Sequence, residues 1–236
     1  MMDLARVTSD GEMTSTTIQE ALSAMANGTP LIVVDDEDRE NEGDLIVAAE
    51  MATSETVAFM IRWTSGILCV ALPRERTSEL QLPPMVQENS DSMRTAFTVS
   101  VDLRHGTTTG ISASERAATI RALVDPARRA ADFTRPGHVF PLRAVRDGVM
   151  KRPGHTEAAV DLACLAGLQP GGVLAEIVND DGSMARRPQL ESFARLHGLP
   201  LITIRDLIRY RQQMAGMAPA SKVSLDASSK PIFAVA

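Results

Sequence analysis

Two short apolar runs, Leu31–Val34 and Leu45–Ala49, flank a stretch that reads DDEDRENEGD, in which seven of the ten side chains are carboxylic acids. Each run has the length of a strand and not of a helix, so the pattern predicts two buried strands joined by an acidic loop. Two carboxylates ~4 Å apart near a protein surface repel by about 4 kcal/mol at an effective dielectric of ~20. This many must therefore splay into water or share a cation. Composition alone leaves both open, because acidic residues usually stay exposed while a hard divalent cation takes oxygen ligands. One calcium loop is excluded by spacing. Counting from Asp36, the sixth position is Asn41 where that loop needs Gly, and the twelfth is Val47 where it needs Glu. Mg²⁺ or Mn²⁺ fits better than Ca²⁺. Arg39, inside the run, either neutralises its neighbours or aims a guanidinium at a substrate oxygen.

Beyond this loop the chain mixes helical and strand patterns irregularly. Apolar spacing predicts helices over 17–26, 54–62, 113–124, 156–166, 187–197 and 204–211. The sequence Ser112-Ala113-Ser114-Glu115 is a capping box ahead of one of them. Strands are expected at 66–72, 96–102, 173–178 and 201–204. Residues 83–95 read as loop, and 134–155, rich in Gly, Pro, Arg and His, read mainly as loop with a short strand near 138–142. The expected class is α+β (mixed α/β), a single compact domain with a mixed sheet flanked by helices. Its span is 15–211, with a flexible N-terminus over 1–14 and a flexible tail over 212–236.

Net charge is −6, which argues against a nucleic-acid partner but not against a small anion in a locally basic pocket. The opening MMDLARVTSDGE lacks the apolar segment of a signal peptide, and no stretch approaches the length of a membrane span. A cytoplasmic protein with no membrane partner is the expectation. Two cysteines, Cys69 and Cys164, are too few for a disulfide framework, and the apolar neighbours of each predict burial. No G-x-G-x-x-G or P-loop is present, which weakens nucleotide-cofactor hypotheses.

Four further patches carry chemistry. MKRPGHT (150–156) leads into a helix, and a helix N-terminus favours phosphate through free N–H groups and its dipole. Arg152 and Thr156 would add donors and His155 a neutral metal-binding nitrogen. The plainer reading makes Thr156 only a cap and Arg152 only a surface charge. RPGHVFP places His138 at a loop edge, as an acid–base group or as a structurally satisfied histidine. TTTGIS (107–112) offers hydroxyls, including Thr109, around a glycine. Glu115 serves either that turn or its capping box. Glu176 lies within an apolar strand, where a carboxylate is paired or catalytic. Together these groups suit metal-assisted chemistry on a phosphorylated sugar or polyol.

The strings DDEDRENEGD, TTTGIS, RPGHVFPL, GHTEAAVDLACLAG and GVLAEIVNDDGSMAR, in that order over 15–211, resemble the 3,4-dihydroxy-2-butanone 4-phosphate synthases of riboflavin biosynthesis. The resemblance implies conversion of D-ribulose 5-phosphate to 3,4-dihydroxy-2-butanone 4-phosphate and formate through an enediolate, dehydration and skeletal rearrangement. It implies Mg²⁺ or Mn²⁺, two per active site, and a homodimer with sites near the interface. Matched by motif, Glu40 and His155 bind metal, and Arg39, Glu40 and Asp44 meet substrate. Arg152, Gly154, His155 and Thr156 form the phosphate segment, and Glu42 lines the loop. His138 and Glu176 are the catalytic pair, Glu176 also contacting substrate, and Cys69 matches a cysteine near the active site. Glu115 stands where relatives often have Asp. Many relatives carry a GTP cyclohydrolase II domain, and neither the length nor the cysteines predict one here. The competing readings are a non-catalytic cation-binding protein and a sugar-phosphate isomerase that stops at the enediol.

Overall fold

The computed structural model describes residues 16–217. The first apolar run forms β1 (Leu31–Val34) and the second β2 (Gly43–Ala48), paired antiparallel across the acidic loop. Five more strands join them: β3 (Cys69–Leu72), β4 (Val101–Leu103), β5 (Phe133–Arg143), β6 (Gly172–Glu176) and β7 (Leu201–Thr203). The order across the sheet is β4-β5-β3-β6-β2-β1-β7. The β1/β7 and β3/β5 pairs are parallel and the rest antiparallel, so the expected mixed sheet is what forms.

The strands are apolar on both faces because helices cover both. Ile32, Leu45, Val47 and Val70 pack with α2 (Ser54–Trp63), α4 (Ala113–Val124) and α6 (Arg187–His197). Leu31, Val33, Ile46 and Leu174 pack with α1 (Ile18–Ala26), α5 (His155–Leu165) and α7 (Ile204–Met217). Local signals set several helix ends. Thr17 and Glu20 box the start of α1, and Ser112 and Glu115 box the start of α4.

Four expectations are corrected. A short α3 (Arg74–Glu79) follows Pro73, where the sequence showed only the end of a strand. The 134–155 region opens with the eleven-residue β5 instead of loop. Pro136 is tolerated because the β4/β5 ladder shifts register between Val101 and Asp102, so it has no ladder donor to supply. The last helix runs to Met217 rather than Arg211, so 212–217 continue α7. The rest of the expected tail and the expected flexible N-terminus lie outside the described residues. Cys164 is exposed, unlike buried Cys69: α5 turns Ala158, Ala159, Leu162 and Ala163 inward, which leaves Cys164 on the outer side. No described helix is long and apolar enough to cross a membrane.

Candidate active site

The acidic loop folds around Asp35. One carboxylate oxygen accepts the Glu40 backbone N–H at 3.0 Å and Arg39 Nη1 at 2.9 Å, and the other accepts the Glu42 N–H at 2.9 Å. These bonds turn the chain back and bring Glu40, Glu42 and Asp44 to one end of the sheet. Arg39 Nη1 also donates to Glu40 Oε2 at 2.5 Å. Arg186, at the N-terminus of α6, clamps the loop by donating to the carbonyls of Glu40 (2.8 Å) and Asn41. Asn41 has a left-handed backbone, φ 54°, and this clamp secures it.

His155 opens α5 and is buried beneath the loop. Its Nε2 lies 3.1 Å from the Val33 carbonyl. A carbonyl only accepts, so this bond places the ring proton on Nε2. Nδ1 then faces Glu40 Oε2 at 3.5 Å and Asp44 Oδ1 at 3.8 Å. Asp44 Oδ1 is buried without a hydrogen-bond partner.

The electrostatics describe a site short of positive charge. Burial pushes the Asp44 carboxyl up to about 7, against the pull of His155 and with help from Glu176 and Glu40. Burial also raises Glu42. The His155 hydrogen bond holds Glu40 down at about 2, opposed by burial and assisted by Arg39. Burial would lower the His155 imidazole, but Asp44 and Glu40 outweigh it and raise the group to about 9. With no cation bound, the His155 proton supplies the missing charge at neutral pH. A divalent cation can take its place by displacing that proton.

The donor set fits such a cation. Ligand atoms of Asp35, Glu40 and His155 lie within 4.8 Å of one another. Both Asp35 oxygens already brace the loop, so the unpartnered Asp44 Oδ1 is the better third oxygen.

The other end of the pocket has groups that can receive an anion. Gly154 caps α5 without a side-chain bond, so the first-turn N–H groups stay open. A Cβ on Gly154 would come within 2.5 Å of Arg152 Nη1 and 3.0 Å of Arg39 Nη2. Glycine therefore lets two guanidinium groups converge over the helix N-terminus. Arg152 Nη1 donates to buried Glu157 at 2.6 Å and Nη2 to the Met93 carbonyl at 3.1 Å. Thr156 is a buried first-turn residue, and the capping role that its sequence allowed falls to Gly154.

A cavity of about 120 Å³ is lined by Arg39, Glu40, Glu42, Asp44, Cys69, Arg152, His155, Thr156 and Glu176. Glu176 pairs with Asp44 in the β2/β6 register and accepts from Ser65 Oγ at 2.7 Å. Burial moves the Cys69 thiol well above its usual range, which leaves a packing residue and a poor nucleophile.

Besides Gly154, which borders it at the helix N-terminus, three expected residues do not line this cavity. His138 is on β5, two strand positions from β6, or roughly 10 Å across a sheet. Thr109 is exposed on its turn. Glu115 accepts from the Thr108 N–H and hydroxyl and from Ser112. The Thr108 bonds foremost hold it down at about 2, and it braces the turn and caps α4. Sequence reasoning missed Asp35, Arg186 and Glu157 as supports. Arg186 and Glu157 sit inside quoted motif strings, but only folding shows what they hold.

The 3,4-dihydroxy-2-butanone 4-phosphate synthase family matches residues 19–210. The "3,4-dihydroxy-2-butanone 4-phosphate synthase" of Agrobacterium fabrum is 57% identical over 198 residues, which cover 84% of this chain and 93% of that protein. "Riboflavin biosynthesis protein RibBA" of Salinispora arenicola is 58% identical over 197 residues, 84% of this chain and 47% of that protein. The chain thus spans about half the length of the RibBA relatives it matches. A solved structure of 3,4-dihydroxy-2-butanone 4-phosphate synthase in complex with two magnesium ions superposes with TM-score 0.83 at 47% identity, covering 85% of this chain and 99% of that one. The Candida albicans enzyme superposes with TM-score 0.78 at 52% identity, covering 84% and 98%. Sequence, fold and the acidic pocket agree, and the chain belongs to the 3,4-dihydroxy-2-butanone 4-phosphate synthase family.

Proposed function

We propose that this protein is a lyase of riboflavin biosynthesis that converts D-ribulose 5-phosphate to 3,4-dihydroxy-2-butanone 4-phosphate and formate. One observation carries the reading. A histidine whose Nδ1 faces two carboxylates begins the same helix whose N-terminus gathers Arg39 and Arg152. Cation-binding and phosphate-binding groups therefore share one cavity, spaced for a small sugar phosphate.

Glu40 and His155 hold Mg²⁺ or Mn²⁺, with Asp44 alongside, two ions per site; a relative solved in complex with two magnesium ions supports divalent-cation binding. When bound, the cation supplies Lewis-acid stabilisation of negative charge on adjacent substrate oxygens. Arg152, the open N–H groups of α5 and Thr156 hold the phosphate, while Arg39 and Asp44 orient the sugar. Glu176, steadied by Ser65, moves protons on the carbon chain. His138 is the second acid–base group. Water leaves and returns, so carbon and oxygen balance between the five-carbon substrate and the two products.

The reading includes a cytoplasmic homodimer. Its support is the gap between His138 and the cavity: His138 of the partner subunit can complete a site that this chain's own His138 does not line.

The test is NMR of purified protein with ribulose 5-phosphate, with and without Mg²⁺. Metal-dependent formate in one-to-one ratio with the four-carbon product is the expected result. A five-carbon isomer without formate would point to an isomerase, and binding without turnover to a non-catalytic cation protein.

A further inference from the structure

The sequence motifs TTTGIS and RPGHVF lie far apart in the chain, and the acidic cavity explains neither. They meet at Asp102, on β4. His138 engages both oxygens of that carboxylate. Its backbone N–H donates to Oδ1 at 2.9 Å, and its Nδ1 lies 2.7 Å from Oδ2. Asp102 is itself buried, at 7% exposure. Gly110 of the TTTGIS turn lies directly against the carboxylate. It has φ +82°, and a Cβ there would come within 2.2 Å of Asp102 Oδ2. The turn therefore closes over Asp102 only because position 110 carries no side chain. Arg116, on the neighbouring α4, is the cation that acts on Asp102 from outside the pair.

A carboxylate accepts and cannot donate when ionised, so the short contact requires a proton on His138 Nδ1. The other ring nitrogen has no hydrogen-bond partner among the described residues, and the side chain is 43% exposed. We propose that Asp102 is a positioning residue for His138: it fixes the ring with Nδ1 protonated and Nε2 bare, so that Nε2 receives a proton from substrate and later returns it. This rests on the synthase reading for the identity of the substrate, but the tautomer does not depend on it. Asp102 only accepts from the ring, which ends the cycle as it began. The register shift in β4/β5 beside Asp102 fits this role, since a bulge re-aims a strand residue.

The substitution Asp102→Asn tests the idea with little change in shape. Oδ1 must still accept the His138 N–H, so the amide NH₂ is forced toward Nδ1. Nδ1 then has to accept, and the proton moves to Nε2, the wrong nitrogen for a proton acceptor. With four histidines in the chain, ¹⁵N-histidine labelling and long-range ¹H–¹⁵N correlation resolve each tautomer, and His138→Gln assigns the signal. The expected wild-type signal is Nδ1–H, converting to Nε2–H in Asp102→Asn. With ribulose 5-phosphate and Mg²⁺, kcat should fall about 100-fold, the lower end for losing an acid–base group, with KM within about twofold. Asp102→Glu should retain the Nδ1–H signal and recover part of kcat. A wild-type Nε2–H signal would overturn the proposal even if the Asn variant fails to fold. So would an Asn variant with unchanged kcat, or one that loses kcat and affinity together. A wild-type enzyme that shows Nδ1–H but releases no formate would sink the synthase reading and leave the positioning intact.

Discussion

Two histidines in this molecule are held by opposite ends of the ring. His155 gives its Nε2 proton to the carbonyl of Val33 and turns Nδ1 toward Glu40 and Asp44. His138 turns Nδ1 to the carboxylate of Asp102 and leaves Nε2 open. The first is buried beneath a loop dense with carboxylates and faces a place where a cation belongs. The second is half exposed, two strands away, and faces solvent. On the proposed reading, one residue type serves as ligand or as proton carrier, and the group bonded to the far nitrogen decides which. A neutral carbonyl leaves a nitrogen lone pair for metal, while a carboxylate pins the proton and leaves a lone pair for substrate.

The largest expected effect breaks the ligand side of this comparison. Glu40→Gln and His155→Gln should each lower Mg²⁺-dependent formate release by more than about 100-fold, since even partners of a ligand are worth 10–100-fold. Loss of Mg²⁺ binding by calorimetry should accompany it. An activity loss with Mg²⁺ affinity intact would remove both residues from the metal site.

pH sharpens the comparison next. The His155 imidazole is raised from 6.5 to about 9 by Asp44 and Glu40 against the effect of burial. A raised histidine stabilises the metal-free fold fully below about pH 6.5, and that stability is lost as pH climbs through about 9. Asp44, raised by burial from 3.8 to about 7, disfavours ionisation in the fold, so stability also falls across that lower window. A cation that displaces the His155 proton should therefore bind about tenfold more tightly per pH unit between 7 and 9. The rise in Tm on adding Mg²⁺ should grow over the same range. A pH-independent rise would mean that no proton is displaced.

At the phosphate end, Arg152→Lys removes a fork that reaches both Glu157 and Met93. A point charge cannot reproduce it, and KM for ribulose 5-phosphate should rise about tenfold, worth ~1.4 kcal/mol, a typical loss for a charge-assisted bond. A fall in kcat with KM unchanged would move Arg152 from phosphate binding to chemistry. The smallest effect expected is from Ser65→Ala, which removes one hydrogen bond to Glu176. A decrease of about threefold in kcat is in line with a net hydrogen-bond contribution near the low end of its range. Stopped assays at saturating substrate would measure it.

Much of the site could be read from the chain because its signals are local. The acidic run and the Ser112 capping box each lie within a few residues, and the structure forms the inter-strand loop and the helix start that they predict. What could not be read depends on pairing between distant segments. Asp35 looked like one acid among seven, yet it is the residue that the loop folds around. Arg186 is 145 residues from the carbonyl of Asn41 that it holds. Asp102 had no signal, because its role exists only once β4 lies beside β5. Strand β5 itself was obscured by two prolines and a glycine, and only the interrupted ladder shows why Pro136 is tolerated. The position of His138 outside the cavity is equally a property of strand order, invisible to motif spacing.

The most direct test of the ligand assignment is pulsed electron paramagnetic resonance on the protein loaded with Mn²⁺. Spin-echo modulation from one directly coordinated imidazole nitrogen is expected in the wild type and should vanish in His155→Gln while persisting in His138→Gln. Bound Mn²⁺ with no nitrogen coupling, or a coupling that survives in His155→Gln, would contradict the account.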